Sequence, residues 1–252
     1  MKSNIHIGED LGAVFDKTAK PTIDFIRRVK YNALYGIVLP RYSEMLDKIY
    51  EPYPEFLPTE NDVVYDIGAQ YGDYALICYK KYHVKKVYAF EPLYKNYREM
   101  DILFKMHHIT YDNIETHGIA LSDKNEYKLV SHDGMLKLED KGSLLEYVDF
   151  KGLLVEYVDF KVLDEIASNF IPPTILKIDV ERYERKTLDG ARNTIEKTHP
   201  KIIMETHTKE LKESVIDFLT DLNYSKPKSS CKRINKDGNE YENLFFMPIK
   251  GD

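Results

Sequence analysis

Thiols are scarce in this 252-residue chain: Cys78 and Cys231 are the only two. They stand far apart and make no metal-type pair, so they read as free thiols of a reducing compartment. Long apolar runs are missing too, and none approaches the roughly 18–20 residues of a membrane span. The N-terminal stretch MKSNIHIGEDLGAVFDKTAK lacks the apolar centre of a secretory signal. The expectation is a cytoplasmic protein with no membrane partner. Excess positive charge is the third absence. At a formal net charge of −6, the chain lacks the basic footprint usual in nucleic-acid binders. Its basic clusters, KKYHVKK (80–86) and KPKSSCKR (226–233), read as solvated loop or helix-end charge. Tryptophan is absent and tyrosine plentiful, and neither points to a function.

What is present is a globular composition, on a chain long enough for one generous domain or a domain with an appendage. Residues 1–58 look mainly helical, with a break at Pro40. The three-proline stretch EPYPEFLP (51–58) reads as an extended linker into a main domain over 59–252. From there short strands alternate with helices. Strands are expected at 62–67, 86–90, 115–121, 174–180 and 201–205, and helices at 72–82, 94–107, 184–197 and 209–222. That alternation means βαβ units and a mostly parallel α/β sheet. Near-continuous apolar runs such as TILKIDV and KIIME fit strands covered on both faces. The tail predicts a turn at 235–239 and a strand in YENLFFMPI, a closing antiparallel pair. The rhythm lapses over 123–172. A strand is expected in NEYKLVSHD (125–133). Next comes a ten-residue duplication, KGSLLEYVDF (141–150) and KGLLVEYVDF (151–160), too short for a solenoid. The second copy leads into KVLDEIASNF, a strand and a short helix.

Open parallel sheets bind ligands at the carboxyl ends of their strands. Those ends deliver Asp66, Gly68 and Gly72, then Glu91, then Asp179 and Glu181, then Glu205 and His207. Residues two apart on a strand share a face, so each of the last two pairs converges if its strand stays extended. A dinucleotide site would want Gly-x-Gly-x-x-Gly. From Gly68 the second glycine position holds Gln70, which would crowd a pyrophosphate, and the third holds Asp73, which sets negative charge at a helix start where an anion belongs. The triphosphate-binding pattern is missing as well. S-adenosylmethionine, a sulfonium cation without phosphate, suits the acidic rim better. Gly68 and Gly72 would let the loop approach its methionyl part. Glu91 can accept two hydrogen bonds from ribose hydroxyls. Asp66 can orient the loop or bond to the amino group.

The segments VVYDIGAQYGDYAL, VYAFEPLYKNY, GIALSDKNEYKL, TILKIDVERYERKTLDGARNTI and KIIMETH together resemble the FkbM-type S-adenosylmethionine-dependent methyltransferases, over roughly residues 62–207. The resemblance implies a seven-stranded, doubly wound sheet and methyl transfer, commonly to a hydroxyl oxygen. By position, Asp66, Gly68, Ala69, Gln70, Tyr71 and Gly72, with Glu91 and Pro92, would hold the cofactor. Ala120 and Leu121 would lie near the adenine, and Asp179 beside the transferred methyl. One departure stands out: Arg182 occupies a position where the family usually has glycine, which turns tightly. Arginine there adds bulk and charge, and one use for it is to anchor an acidic substrate.

A hydroxyl acceptor must lose its proton to a base or to a metal that lowers its pKa. Asp179, Glu181, Glu205 and His207 are the candidates, with His207 the natural base near neutral pH. Glu205 and His207 read equally well as caps of the helix that follows. Oxygen ligands from Asp179, Glu181 and Glu205 would suit Mg2+. The expected acceptor is a small molecule or carbohydrate hydroxyl. An RNA methyltransferase would use the basic clusters, but the acidic total and the lack of an Asn-Pro-Pro-aromatic motif weigh against it. A non-catalytic cofactor-binding protein is the other alternative. Nothing in the sequence fixes an oligomeric state.

Overall fold

The computed structural model describes residue 36 and residues 49–131, 155–234 and 240–249. The elements are β1 (Val63–Ile67), α1 (Asp73–Tyr82), β2 (Lys86–Phe90), α2 (Tyr94–Met106), β3 (Ile114–His117), β4 (Ala120–Leu121), β5 (Glu126–Ser131), β6 (Val155–Lys161), α3 (Leu163–Ile166), β7 (Ile175–Ile178), α4 (Glu184–Asp189), α5 (Arg192–Thr198), β8 (Lys201–Thr206), α6 (Lys209–Asp221), β9 (Lys228–Ile234) and β10 (Glu240–Phe246). Seven of the strands form one sheet in the order β3-β2-β1-β7-β8-β10-β9. Its first five strands pair in parallel, and β10 runs antiparallel to both β8 and β9. The fold is the expected doubly wound, mostly parallel α/β sheet.

The central strands are mostly apolar because both their faces are covered. Alternation splits them between two cores. Val64 and Ile175 pack with α1, α2, Ile49, Tyr50 and Phe56. Val63, Tyr65, Ile67, Leu176 and Ile178 pack with residues of α3, α4, α5 and α6. Chain order reverses between β1 and β7, which lie side by side. Ligands gather in such a crevice, beyond the strand ends.

Several expectations shift. Residues 115–121 are not one strand: β3 ends at His117 in the main sheet, and Ala120–Leu121 pair with β6 in a separate three-stranded sheet ordered β4-β6-β5. The helix expected over 184–197 is two, parted at Gly190. A Cβ on Gly190 would stand 1.9 Å from the Ser122 carbonyl oxygen, so the end of β4 packs against this glycine where the helix breaks. The stretch 51–58 is more than a linker. It makes a 3-10 turn at Pro54–Phe56, and Tyr53 and Phe56 meet the ring of Phe245 edge-on at 5.1 and 5.3 Å. The second repeat copy supplies β6, and the closing pair β9–β10 forms as expected. The first copy, the 235–239 turn and the helices expected in 1–48 lie outside the described residues. Four lysines of the basic clusters pair within the chain, Lys228 and Lys232 with side chains still more than half exposed. Lys81 pairs with Glu51 and Lys86 with Glu115, while Lys228 reaches Glu55 and Lys232 reaches Glu240. Cys78 is a buried free thiol. Among the described residues no helix is long and apolar enough to cross a membrane.

Candidate active site

The loop after β1 is held from below. Asp66 and Lys177 face each other across the β1–β7 register. Both are buried, and Lys177 Nζ lies 3.0 Å from Asp66 Oδ1. The same ammonium donates to the Gly68 carbonyl at 2.7 Å and stands 5.6 Å from the centre of the Tyr50 ring. Burial raises the Asp66 pKa, and the charge of Lys177 opposes that rise. The Asp66 side chain is fully buried, and its link to the loop runs through Lys177. Sequence reading missed Lys177. The signal was there, a lysine inside the apolar run TILKIDV.

Both glycines are held close by the protein's own packing. Gly68 adopts φ +76°, and a Cβ there would come within 1.8 Å of the Asp179 carbonyl oxygen. Gly72 adopts φ +80° and abuts Met100 and Phe104 of α2. Between them Ala69 is buried, Tyr71 half-buried, and Gln70 exposed at φ +51°. Gly68 and Ala69 both donate to the Phe90 carbonyl, each at 3.0 Å.

Glu91 lies under this loop at the end of β2, with Pro92 half-buried beside it. Its Oε2 accepts the Gln70 N–H at 2.8 Å. Its Oε1 accepts from the Leu93 N–H at 3.0 Å and from Asn96 Nδ2 at 3.2 Å. A carboxylate offers about four acceptor positions, so three donors leave one open, where the sequence suggested two ribose contacts. Burial pushes the Glu91 pKa up to about 7, against the pull of these three donors and of Lys177. Ala120 is half-buried and Leu121 is buried in the second core, its carbonyl accepting from Thr187 Oγ1 at 2.9 Å.

Opposite, β7 and β8 deliver an acidic cluster around one imidazole. β7 ends at Ile178, short of expectation, yet a turn with Glu181 at φ +48° and Arg182 at φ +78° carries Glu181 back to the site. His207 Nε2 lies 3.3 Å from Glu181 and 3.8 Å from Asp179. Its Nδ1 meets Glu184 Oε1 at 2.6 Å. Burial lowers the His207 pKa, but the hydrogen bond and charge of Glu184, with the charges of Glu181 and Asp179, outweigh it and raise the value to about 9. His207 therefore holds its proton near neutral pH and donates, where the sequence made it a base. Neither it nor Glu205 caps α6. Thr208 does, accepting the Leu211 N–H at 3.2 Å.

Several partners of this cluster among the described residues had no sequence signal. Tyr50 donates its hydroxyl to Asp179 Oδ2 at 2.8 Å, so the 49–58 segment reaches into the site. Arg233 of β9 pairs with Glu205. Glu184 is fully buried beneath His207. Arg182 is exposed, and its N–H donates to Glu184 at 2.9 Å. Its left-handed φ strains a residue that has a Cβ. Arg182→Gly is expected to raise stability by about 1 kcal/mol, and an unchanged or lower midpoint in urea unfolding would count against strain at this turn.

Residues 66–226, more than half of the chain, match the Methyltransferase FkbM domain. No curated protein sequence matches. Among solved structures, a methyltransferase FkbM from Methylobacillus flagellatus KT aligns at a TM-score of 0.49 and 16% identity, over 88% of this chain and 60% of that one. The chain thus spans under two thirds of that protein. Sp1610 of Streptococcus pneumoniae, described as a candidate tRNA (m1A22) methyltransferase, aligns at 0.50 and 12% identity, over 84% and 73% of the two chains. A methyltransferase from Pyrococcus furiosus aligns at 0.48 and 14% identity, over 90% and 98%. These likenesses are of fold, whereas the match over 66–226 takes in the glycine loop, Glu91 and the acidic cluster together, and by it the chain belongs to the FkbM methyltransferase family.

Proposed function

We propose that the chain binds S-adenosylmethionine and transfers its methyl group to a hydroxyl oxygen of a small molecule or carbohydrate, in the cytoplasm. The observation that carries this reading is the buried Glu91 carboxylate, with one acceptor position open beside the glycine loop. The donor set suits this cofactor and not a phosphate. Asp73 opens α1 with a negative charge, and Asp179 and Glu181 add two more at the strand ends across the site. Such a rim attracts a sulfonium and repels a pyrophosphate.

When bound, S-adenosylmethionine supplies a methyl carbon already activated by its sulfonium. The chain's part is to hold that methyl in line with the acceptor oxygen. Glu91 fixes the ribose end. The 68–72 loop, braced by Lys177, fixes the methionyl end. The acceptor oxygen would take the methyl as the methyl–sulfur bond broke, and its O–H bond would then have to release a proton. The released proton goes to the carboxylates at the mouth. Glu181, with a side chain 58% exposed, passes it to water. Protonated His207 balances the charge that Asp179 and Glu181 would otherwise concentrate there.

Isothermal titration tests the reading. S-adenosylmethionine and S-adenosylhomocysteine bind and NAD does not. Glu91→Ala weakens binding by about 1.5–3 kcal/mol, the size of a lost charge-assisted bond. The ionised form of Glu91 accepts the ribose hydroxyl, so affinity also falls as pH drops through about 7. Tight NAD binding, or neither sulfur ligand binding, would sink the proposal.

A further inference from the structure

Asp179, Glu205 and His207 come from two strands, and each offers one ligand atom within 4.8 Å of the other two. We infer that these three residues form a site for a divalent transition-metal ion, of the Mn2+ or Zn2+ kind. The inference deepens the hydroxyl-methylation reading and rests on it for the ion's use, though not for its binding.

The cluster has the build of a metal centre. Each carboxylate is fixed by a second contact: Asp179 Oδ2 by the Tyr50 hydroxyl at 2.8 Å, and Glu205 Oε1 by Arg233. The imidazole is fixed by Glu184 at Nδ1, which turns Nε2 toward Asp179. A carboxylate behind the far ring nitrogen is the usual support of a metal-ligating histidine, because it sets the tautomer and the ring angle. Ligands of one ion at about 2.0–2.2 Å lie roughly 3–4.4 Å apart, so closing the present spacing takes only small movements.

A second observation points the same way. Glu184 is fully buried, and its Oε2 has no hydrogen-bond partner among the described residues. The carboxylates of Asp179, Glu181 and Glu184 all lie within 4 Å of the His207 ring nitrogens. A buried carboxylate left short of donors favours a cation nearby.

The donor set also selects the metal. Mg2+ and Ca2+ take oxygen ligands, as the set of Asp179, Glu181 and Glu205 suggested from sequence. The structure replaces Glu181 by an imidazole, and imidazole with carboxylate suits Mn2+, Fe2+ or Zn2+. An ion here sits at the same strand ends as the glycine loop. It would lower the pKa of an acceptor hydroxyl bound to it, the hydroxyl proton passing to water.

The test is Mn2+ titration of the full chain, read by loss of the free-ion electron paramagnetic resonance signal. The expected result is one site, at least tenfold weaker in Asp179→Asn and in His207→Gln, and unchanged in Glu213→Gln, an exposed control on α6. Electron spin-echo modulation of the wild-type complex should show one imidazole nitrogen, a readout that does not depend on a variant folding. No binding at millimolar Mn2+, binding without the nitrogen signal, or an equal loss in Glu213→Gln would overturn the inference. Parallel titrations with S-adenosylmethionine separate the two proposals. Cofactor binding without a metal site sinks only the metal. A metal site without cofactor binding sinks the methyl-transfer reading and leaves the ion.

Discussion

Lys177→Met is expected to lower stability by about 3–5 kcal/mol at neutral pH, the cost of leaving a buried charge without its partner. Asp66 is fully buried, directly opposite Lys177 across two central strands. Methionine matches the lysine's length but offers neither charge nor donor. The variant loses the ion pair and also the 2.7 Å bond to the Gly68 carbonyl that holds the loop. Two further results separate this account from plain core damage. Burial already raises the Asp66 pKa. Without Lys177 that carboxyl goes neutral more readily, so the deficit shrinks as pH is lowered. The double variant Asp66→Asn/Lys177→Met should recover much of the loss, because no unpaired charge remains. Urea unfolding at two pH values reads all three. A double variant no more stable than Lys177→Met would mean that the lysine acts by packing and not by charge.

The second large effect is a loss of stability in alkali. The His207 pKa is raised to about 9 in the folded protein from an ordinary 6.5. A cation favoured by folding stabilises fully below the unfolded value and ceases to do so above the folded one. Stability should therefore fall as pH rises from about 6.5 through about 9, by about 3 kcal/mol at most. The side chain is only 1% exposed, so solvent screens little of this. The measurement is a series of denaturant unfolding curves in a metal chelator, on wild type and His207→Gln. The amide can still donate to Glu184 but does not titrate, so the variant's profile should be flatter over that window. Parallel profiles for the two proteins would sink this assignment. Glu91 acts in a lower window. Its raised pKa, about 7 against 4.5, removes stability as pH climbs from about 4.5 through about 7, and Glu91→Gln should flatten that part alone.

The fold was legible in the sequence wherever local pattern and tertiary need agree. VVYDI, KVYAF, ILKI and KIIMET are mostly apolar because both their faces are covered, and all four became central strands. The mostly parallel sheet followed from the alternation of elements, and the closing antiparallel pair from the tail's composition. Misreadings came where one residue's contact lies far away in the chain. The break between α4 and α5 is invisible in ERKTLDGARNTI, because it depends on the Ser122 carbonyl pressing on Gly190. The split of 115–121 between two sheets depends on β6, which begins well downstream.

At the site the division is the same. Local pattern along the chain was enough to say which groups arrive at the strand ends: Asp66, the glycine loop, Glu91, Asp179, Glu181, Glu205 and His207. Strand periodicity and helix starts set their places, and those are local properties of the chain. Their protonation and their partners were decided only by tertiary structure. His207 becomes a cation because Glu184, from another element, is buried against its Nδ1. Glu91 has one acceptor position open because Gln70, Leu93 and Asn96 converge on it. Tyr50 and Arg233 enter the site from the two ends of the described chain. Charge and hydrogen bonding in a buried site depend on distances of a few ångströms between residues far apart in sequence, and no reading of spacing along the chain supplies those distances.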